Sequence, residues 1–186
     1  MGRSFANLHI KSKDLEKTVE VLREHAKVLG MSNNRAQEIK AVMYVSKSNE
    51  NWISVLHDYF VWGTVKKIGK ILSEHIEQPV MTAGYMNEEV FELSFFENGN
   101  IQAERIFCEQ WTRDEYEQLQ EECLNDDYLR KVWDIRNKDF EDLISLTSPE
   151  QAVNKLSELV KMSLWTDAEW IPYDETLRTQ FRKYEF

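Results

Sequence analysis

Residues 90–107 read VFELSFFENGNIQAERIF, and that stretch constrains the fold more tightly than any other. Two arms, VFELSFF and IQAERIF, flank Glu97-Asn98-Gly99-Asn100. Asn-Gly accepts positive φ at both central positions, which a two-residue type I′ turn requires. A β-hairpin is therefore predicted here. In its first arm Phe91, Leu93 and Phe95 share one face, while Glu92 and Ser94 share the other. That period of two predicts a sheet covered on one side only along this hairpin.

Upstream elements follow from periodicity and punctuation. Residues 5–10 (FANLHI) read as a short strand. Leu15, Val19, Leu22, Ala26 and Leu29 then recur at helical spacing, with Ser12 ahead of them and Gly30 placed to stop the helix. Residues 41–45 (AVMYV) and 52–58 (WISVLHD) are strands joined by the polar loop SKSNEN. A second helix carries Val65, Ile68, Ile71, Leu72 and Ile76 on one face and ends at Gln78-Pro79, because proline cannot continue the hydrogen-bond ladder. Residues 80–86 (VMTAGYM) form another strand. The expected class is α+β. The order β-α-β-β-α-β matches the ferredoxin-like, split βαβ arrangement, with both helices on one face and the hairpin as an extension. Leu22-Arg23-Glu24-His25 parallels Leu72-Ser73-Glu74-His75, a faint repeat in keeping with that pseudo-twofold order.

From Trp111 onward the strand signals stop. Thr112-x-x-Glu115 and Thr166-x-x-Glu169 have the form of capping boxes, and Ser148-Pro149-Glu150-Gln151 supplies a cap, an N1 proline and Gln at the third position. Ala152, Val153, Leu156, Leu159 and Val160 follow on one helical face. Residues 1–108 are thus expected to form the α+β domain. Residues 109–186 are a helical extension packed on it in the same compact unit.

Charge narrows the function classes. Lys and Arg number 23 against 33 Asp and Glu, a net charge of −10. Such a surface repels phosphate backbones and anionic lipid, so neither nucleic acid nor membrane is an expected partner. Cys108 and Cys123 have no CxxC or His at metal spacing, and they read as reduced thiols of a cytoplasmic protein. No metal and no cofactor is expected. No run of eighteen apolar residues predicts a spanning helix.

The opening MGRSFANLHI, with WISVLHD and the PVMT and FELSFFENG blocks, resembles a group of small uncharacterised proteins of Gram-positive bacteria. The resemblance covers roughly the first 108 residues and implies a bacterial cytosolic α+β protein, with no catalytic residue to carry over. FANLHIKSKDLEKTVEVL, ending in LGM, is in addition similar to the opening of glyoxalase-type metalloenzymes, the vicinal oxygen chelate group. There a His on the first strand binds metal, which this resemblance places at His9. The first helix is here followed by two strands before the second helix, whereas each module of that group has three.

Two functional readings therefore stand. The favoured one is a non-catalytic binding or regulatory module acting through protein–protein contacts, with the acidic charge fitting a basic partner. It rests on that charge, on six tryptophans and on the lack of a P-loop, GxSxG or HExxH motif. Trp165, Trp170 and Tyr173 crowd a polar terminal segment and are the candidate partner-binding residues, because Trp and Tyr offer rigid area with a polar handle. The alternative is a small-molecule or metal-binding enzyme of glyoxalase-like type, with His9, His57, Asp58 and Tyr59 as candidate catalytic residues. Adjacent strand residues point to opposite faces, so His57 and Asp58 are not expected to pair with each other. A meeting of His9 with His57 or Asp58 across neighbouring strands is open on parity. The competing expectation is that the His57-Asp58-Tyr59 cluster ends its strand and ties it to the second helix.

Overall fold

The computed structural model describes residues 2–26, 41–117 and 119–186. It begins with strand β1 (Phe5–Ile10), helix α1 (Leu15–His25), strands β2 (Val42–Lys47) and β3 (Ile53–Leu56), and helix α2 (Thr64–Leu72). Strands β4 (Val80–Met86), β5 (Val90–Glu97) and β6 (Asn100–Phe107) complete the first part. Helices α3 (Gln110–Glu115), α4 (Asp126–Trp133), α5 (Asn137–Ile144) and α6 (Pro149–Val160) follow. A 3-10 turn at Ala168–Tyr173, helix α7 (Glu175–Gln180) and strand β7 (Arg182–Glu185) end the chain. The class is α+β. All seven strands join one antiparallel sheet in the order β6-β5-β4-β1-β3-β2-β7.

The hairpin forms as its sequence requires. Asn98 and Gly99 take φ of 53° and 77°, and Glu97 pairs with Asn100. Ser148 caps α6 by accepting from the Gln151 N–H, with Pro149 opening the helix. Elsewhere the caps move. Asp14, not Ser12, caps α1, accepting from the Lys17 N–H at 3.0 Å. Thr112 lies inside α3 rather than ahead of it, and Asp167 rather than Thr166 caps the 3-10 turn. Asp competes well for a cap because its carboxylate also meets the positive end of the helix dipole. The predicted stop at Leu29-Gly30 lies outside the described residues.

Two expectations are corrected. The tail is not helical throughout, because β7 returns to the sheet and pairs with β2. Its signal is only four residues long, and Tyr184 and the following Phe186 pack against the α1 side of the core. The sheet is also not covered on one side only. Ala6, Leu8, Ile10, Val45, Ile53 and Val55 face α1 and α2, while Phe5, Met81, Tyr85, Phe91, Leu93 and Phe95 face α4, α5 and α6. Even the polar face of the hairpin is sealed. Glu104, on β6, is 1 % exposed and accepts from Lys66 Nζ of α2 (2.8 Å), the Ser94 hydroxyl (3.3 Å) and the Glu122 N–H (2.7 Å). Alternation of Phe with Glu or Ser marks two unlike faces; it does not say whether the polar one meets water or an internal ion pair.

Helix α2 approaches the sheet through Gly69. A Cβ there would overlap the Thr82 Cγ2 methyl of β4, which is itself buried. Ala is the better helix former by about 1 kcal/mol, so an exposed helix would gain from Gly→Ala. Here the overlap dominates, and Gly69→Ala is expected to lower stability by about 1–3 kcal/mol in urea unfolding, with part recovered in Gly69→Ala/Thr82→Ser. A rise in stability on Gly69→Ala alone would show that the helix does not sit this close.

Candidate functional site

β1 is the central strand of the seven, and its tail-facing side is polar in the middle. Asn7 and His9 follow Phe5 on that face, and all three are buried. Asn7 Nδ2 donates to the Leu164 and Thr166 carbonyls at 2.8 and 2.9 Å, so its Oδ1 is the atom turned to His9 Nε2, 2.6 Å away. His9 Nε2 therefore carries the proton and donates. Nδ1 must then accept from the Ser54 hydroxyl at 2.7 Å, and Ser54 Oγ accepts in turn from Ser48. The result is a directed chain, Ser48 to Ser54 to His9 to Asn7 to the carbonyls of the tail. Both imidazole nitrogens are engaged in it, and burial pushes the ring down to about 3, so it is neutral.

The same region closes a gap in the sheet. β1 pairs with β3 from Leu8 to Ile10, and the register would next bring residue 57 opposite Ala6. The chain turns away there. The Ala6 N–H instead donates to Asp167 Oδ2 at 3.0 Å, while Asp167 Oδ1 accepts from the Glu169 N–H at 2.9 Å. A carboxylate from the tail thus replaces the missing strand. Burial raises the Asp167 carboxyl above its ordinary value, opposed by these two backbone donors.

His57, Asp58 and Tyr59 lie just past the end of β3. His57 is buried, accepts on Nδ1 from the Tyr59 N–H (3.0 Å), and its carbonyl accepts from the Phe60 N–H (2.9 Å), which makes the turn. Its ring packs beside Tyr59 and Phe60. Asp58 and Tyr59 are exposed. The Thr64 hydroxyl, first in α2, donates to the Tyr59 carbonyl at 2.8 Å, linking the turn to the helix. His9 stands opposite Ser54 in register and bonds to it, so the sequence-level option of His9 meeting His57 or Asp58 is replaced by a His9–Ser54 contact.

The aromatic candidates divide. Trp165 packs edge-on to Phe5 and Tyr85, lies under the Arg3 guanidinium at 4.5 Å, and donates to Asn154 Oδ1 at 2.7 Å. Trp170 is half-buried, edge-on to Phe5. Tyr173 is 90 % exposed. Sequence reasoning missed two groupings. One is the carboxylate network of Glu92, Glu104, Glu121 and Glu122 with Lys66 and Arg113, buried at Glu104 and open to solvent at Glu122, whose members are spread from α2 to residue 122. The other is the stack of the His25 and His75 rings, centroids 4.1 Å apart. The tetrapeptide repeat that contains both histidines was its one available signal. Among the described residues, no group of three or more His, Cys, Asp or Glu side chains could hold a metal ion. The chain matches no protein-family model, no curated protein and no solved structure.

Two groups shifted by burial, His9 and the half-buried Glu92, should move stability with pH in opposite senses. His9 has its folded value depressed from 6.5 to about 3, so its contribution is complete above pH 6.5 and is lost as the pH falls toward 3, by at most about 1.4 kcal/mol per pH unit. Glu92 is raised by burial from 4.5 to about 7, so its contribution is complete below pH 4.5 and is lost as the pH rises through 7. In urea unfolding, the advantage of the wild type over His9→Gln is expected to shrink from pH 7 to pH 5. Glu92→Gln is expected to gain on the wild type from pH 5 to pH 8. Parallel profiles for all three proteins would refute both assignments.

The turn after β3 gives a contrast between neighbours. His57→Ala removes a buried acceptor and is expected to cost about 1–3 kcal/mol. Asp58→Ala, on an exposed side chain, should stay within about 0.5 kcal/mol of the wild type. Thermal melts of the two variants check this.

Proposed function

We propose that this protein is a non-catalytic binding module of the cytoplasm that acts by contacting a basic protein. The observation that carries the reading is Tyr173, 90 % exposed at the end of the 3-10 turn, with Glu169, Asp174 and Glu175 exposed around it. A rigid ring amid carboxylates suits a cationic surface, by cation–π contact and by charge. The net charge of −10 acts in the same direction at longer range. The engagement of both His9 nitrogens supports this reading over metal chelation at that residue. Cys108 and Cys123 as free thiols support a reducing compartment. Among the described residues no helix is long and apolar enough to cross a membrane.

The scaffold we infer is ferredoxin-like. Strands β4-β1-β3-β2 form the inner part of the sheet, α1 links β1 to β2, and α2 links β3 to β4. The hairpin extends it on one side and β7 on the other, and the tail carries the contact surface.

Affinity capture on the immobilised protein tests the proposal. A basic protein should be retained from native lysate at low salt and released as salt rises, since exposed charge contacts are screened. Tyr173→Ala should weaken retention at least about tenfold while leaving the melting temperature unchanged, as expected for an exposed hot spot. Equal retention by the wild type and Tyr173→Ala would overturn the assignment of this surface.

A further inference from the structure

The two edges of the sheet are treated differently. On β6 outward backbone groups of Gln102, Glu104 and Ile106 are taken by the segment that follows. The Glu104 N–H donates to the Cys123 carbonyl (2.8 Å), and the Ile106 N–H donates to Glu121 Oε1 (3.2 Å). The Ile106 carbonyl accepts from Arg113 Nη2 (2.6 Å), and the Gln102 carbonyl accepts from Asn125 Nδ2 (3.2 Å). Arg113, Glu121, Cys123 and Asn125 cover that edge. β7 has no such cover among the described residues. Phe186 exchanges both backbone hydrogen bonds with Ala41, so by the alternation of an antiparallel ladder Tyr184 and Arg182 also bond inward to β2. The N–H and C=O groups of Lys183 and Glu185 therefore point outward. Their side chains are exposed at 54 % and 49 %.

An open edge is a template for another strand, and proteins usually blunt it with like charges. Here the charges alternate in sign across one tyrosine: Lys183, Tyr184, Glu185. We propose that the partner of this edge is a second copy of the same chain, with two β7 strands pairing antiparallel about a twofold axis at Tyr184. In that register Lys183 faces the Glu185 of the second copy and Glu185 faces its Lys183. The four outward N–H and C=O groups of each strand are satisfied at these two positions. Opposite charges directly across a ladder stabilise it, and like charges directly across destabilise it. Registers centred on Lys183 or on Glu185 put a like charge opposite itself, so the sequence selects one self-pairing. The intrachain Lys183–Glu185 ion pair at 3.1 Å becomes half of an alternating quartet.

The opposite face of β7 supports the same occupant. Arg182 and Tyr184 line a groove of about 330 Å³ with Leu15, Val19, Glu16 and Glu20 of α1. In the paired form the two Tyr184 rings lie side by side at the mouths of the two grooves. Arg182 of one copy stands opposite Phe186 of the other, repeating the arginine–ring contact that Arg23 already makes with Phe186 within one chain at 5.3 Å. An isologous contact of this kind closes at two copies and leaves no further open edge.

Sedimentation velocity on the full chain tests the proposal. The wild type should show a concentration-dependent monomer–dimer equilibrium. Lys183→Glu and Glu185→Lys alone should each weaken it at least about tenfold, because each puts two like-charge pairs into the interface. An equimolar mixture of the two variants should recover a heterodimer, since one strand is then all acidic and the other all basic. The double variant Lys183→Glu/Glu185→Lys should self-associate like the wild type. Circular dichroism melts of the four proteins establish that β7 stays docked. A wild type that is monomeric at all concentrations, a dimer indifferent to the single reversals, or a mixture that stays monomeric would each overturn the proposal.

Discussion

The side-chain amide of Asn7 joins the centre of the sheet to the C-terminal third of the chain. It donates to two tail carbonyls and accepts from His9, so one residue on β1 bridges the sheet and residues 164–166. A polar group at that depth without partners costs about 1–3 kcal/mol, and β1 carries two adjacent ones on the same face. The tail is thus required by the sheet. Without it, the Asn7 amide N–H groups and the Ala6 N–H would lose their partners and the aromatic face would be open to water. With it, Asp167 completes the hydrogen bonding that β3 abandons at His57.

That clamp also determines what can be a surface. Because the tail-facing side of β1 is occupied by a closed hydrogen-bond chain, its histidine is neutral and remote from solvent. Exposed aromatic area appears instead at the periphery, on the 3-10 turn at Tyr173 and on α3 at Trp111. Charge follows the same division. The ion pairs that are sealed, such as Lys66 with Glu104, hold the polar face of the hairpin, and those on β7 lie at the open edge. A buried pair of the first kind is intolerant of losing one partner, whereas an exposed one is available for exchange with another molecule.

Sequence periodicity reached the secondary structure well where a local rule was decisive. Asn98-Gly99 specified its turn because few other dipeptides accept two positive φ values. Ser148-Pro149 specified the start of α6 because the missing proline N–H costs nothing there. Gly69 was legible only as a small residue in a helix, since its reason is the Thr82 methyl on a strand thirteen residues later. The turn between β4 and β5 had no glycine to announce it; Asn87 and Glu88 take positive φ, held by the hairpin they connect.

The site was legible in its residues and not in its relations. His9, His57, Asp58 and Tyr59 could be named as polar groups on or near strands, but β3 ends at Leu56, so strand parity does not apply to His57 and Asp58. The partners of His9 are Asn7, Ser54 and, through Asn7, residues more than 150 positions away. By itself the sequence determined the alternation of faces, the α and β order, the hairpin and the sign of the surface charge, all of which depend on neighbours within a few residues. Only the tertiary structure decided that the polar face of the hairpin is internal, that β7 closes one flank while exposing a new edge, and that a carboxylate stands in for a strand. Each of these matches a backbone or charged group to a distant one. Such matches are set by where the strands end in space, and no local period carries that information.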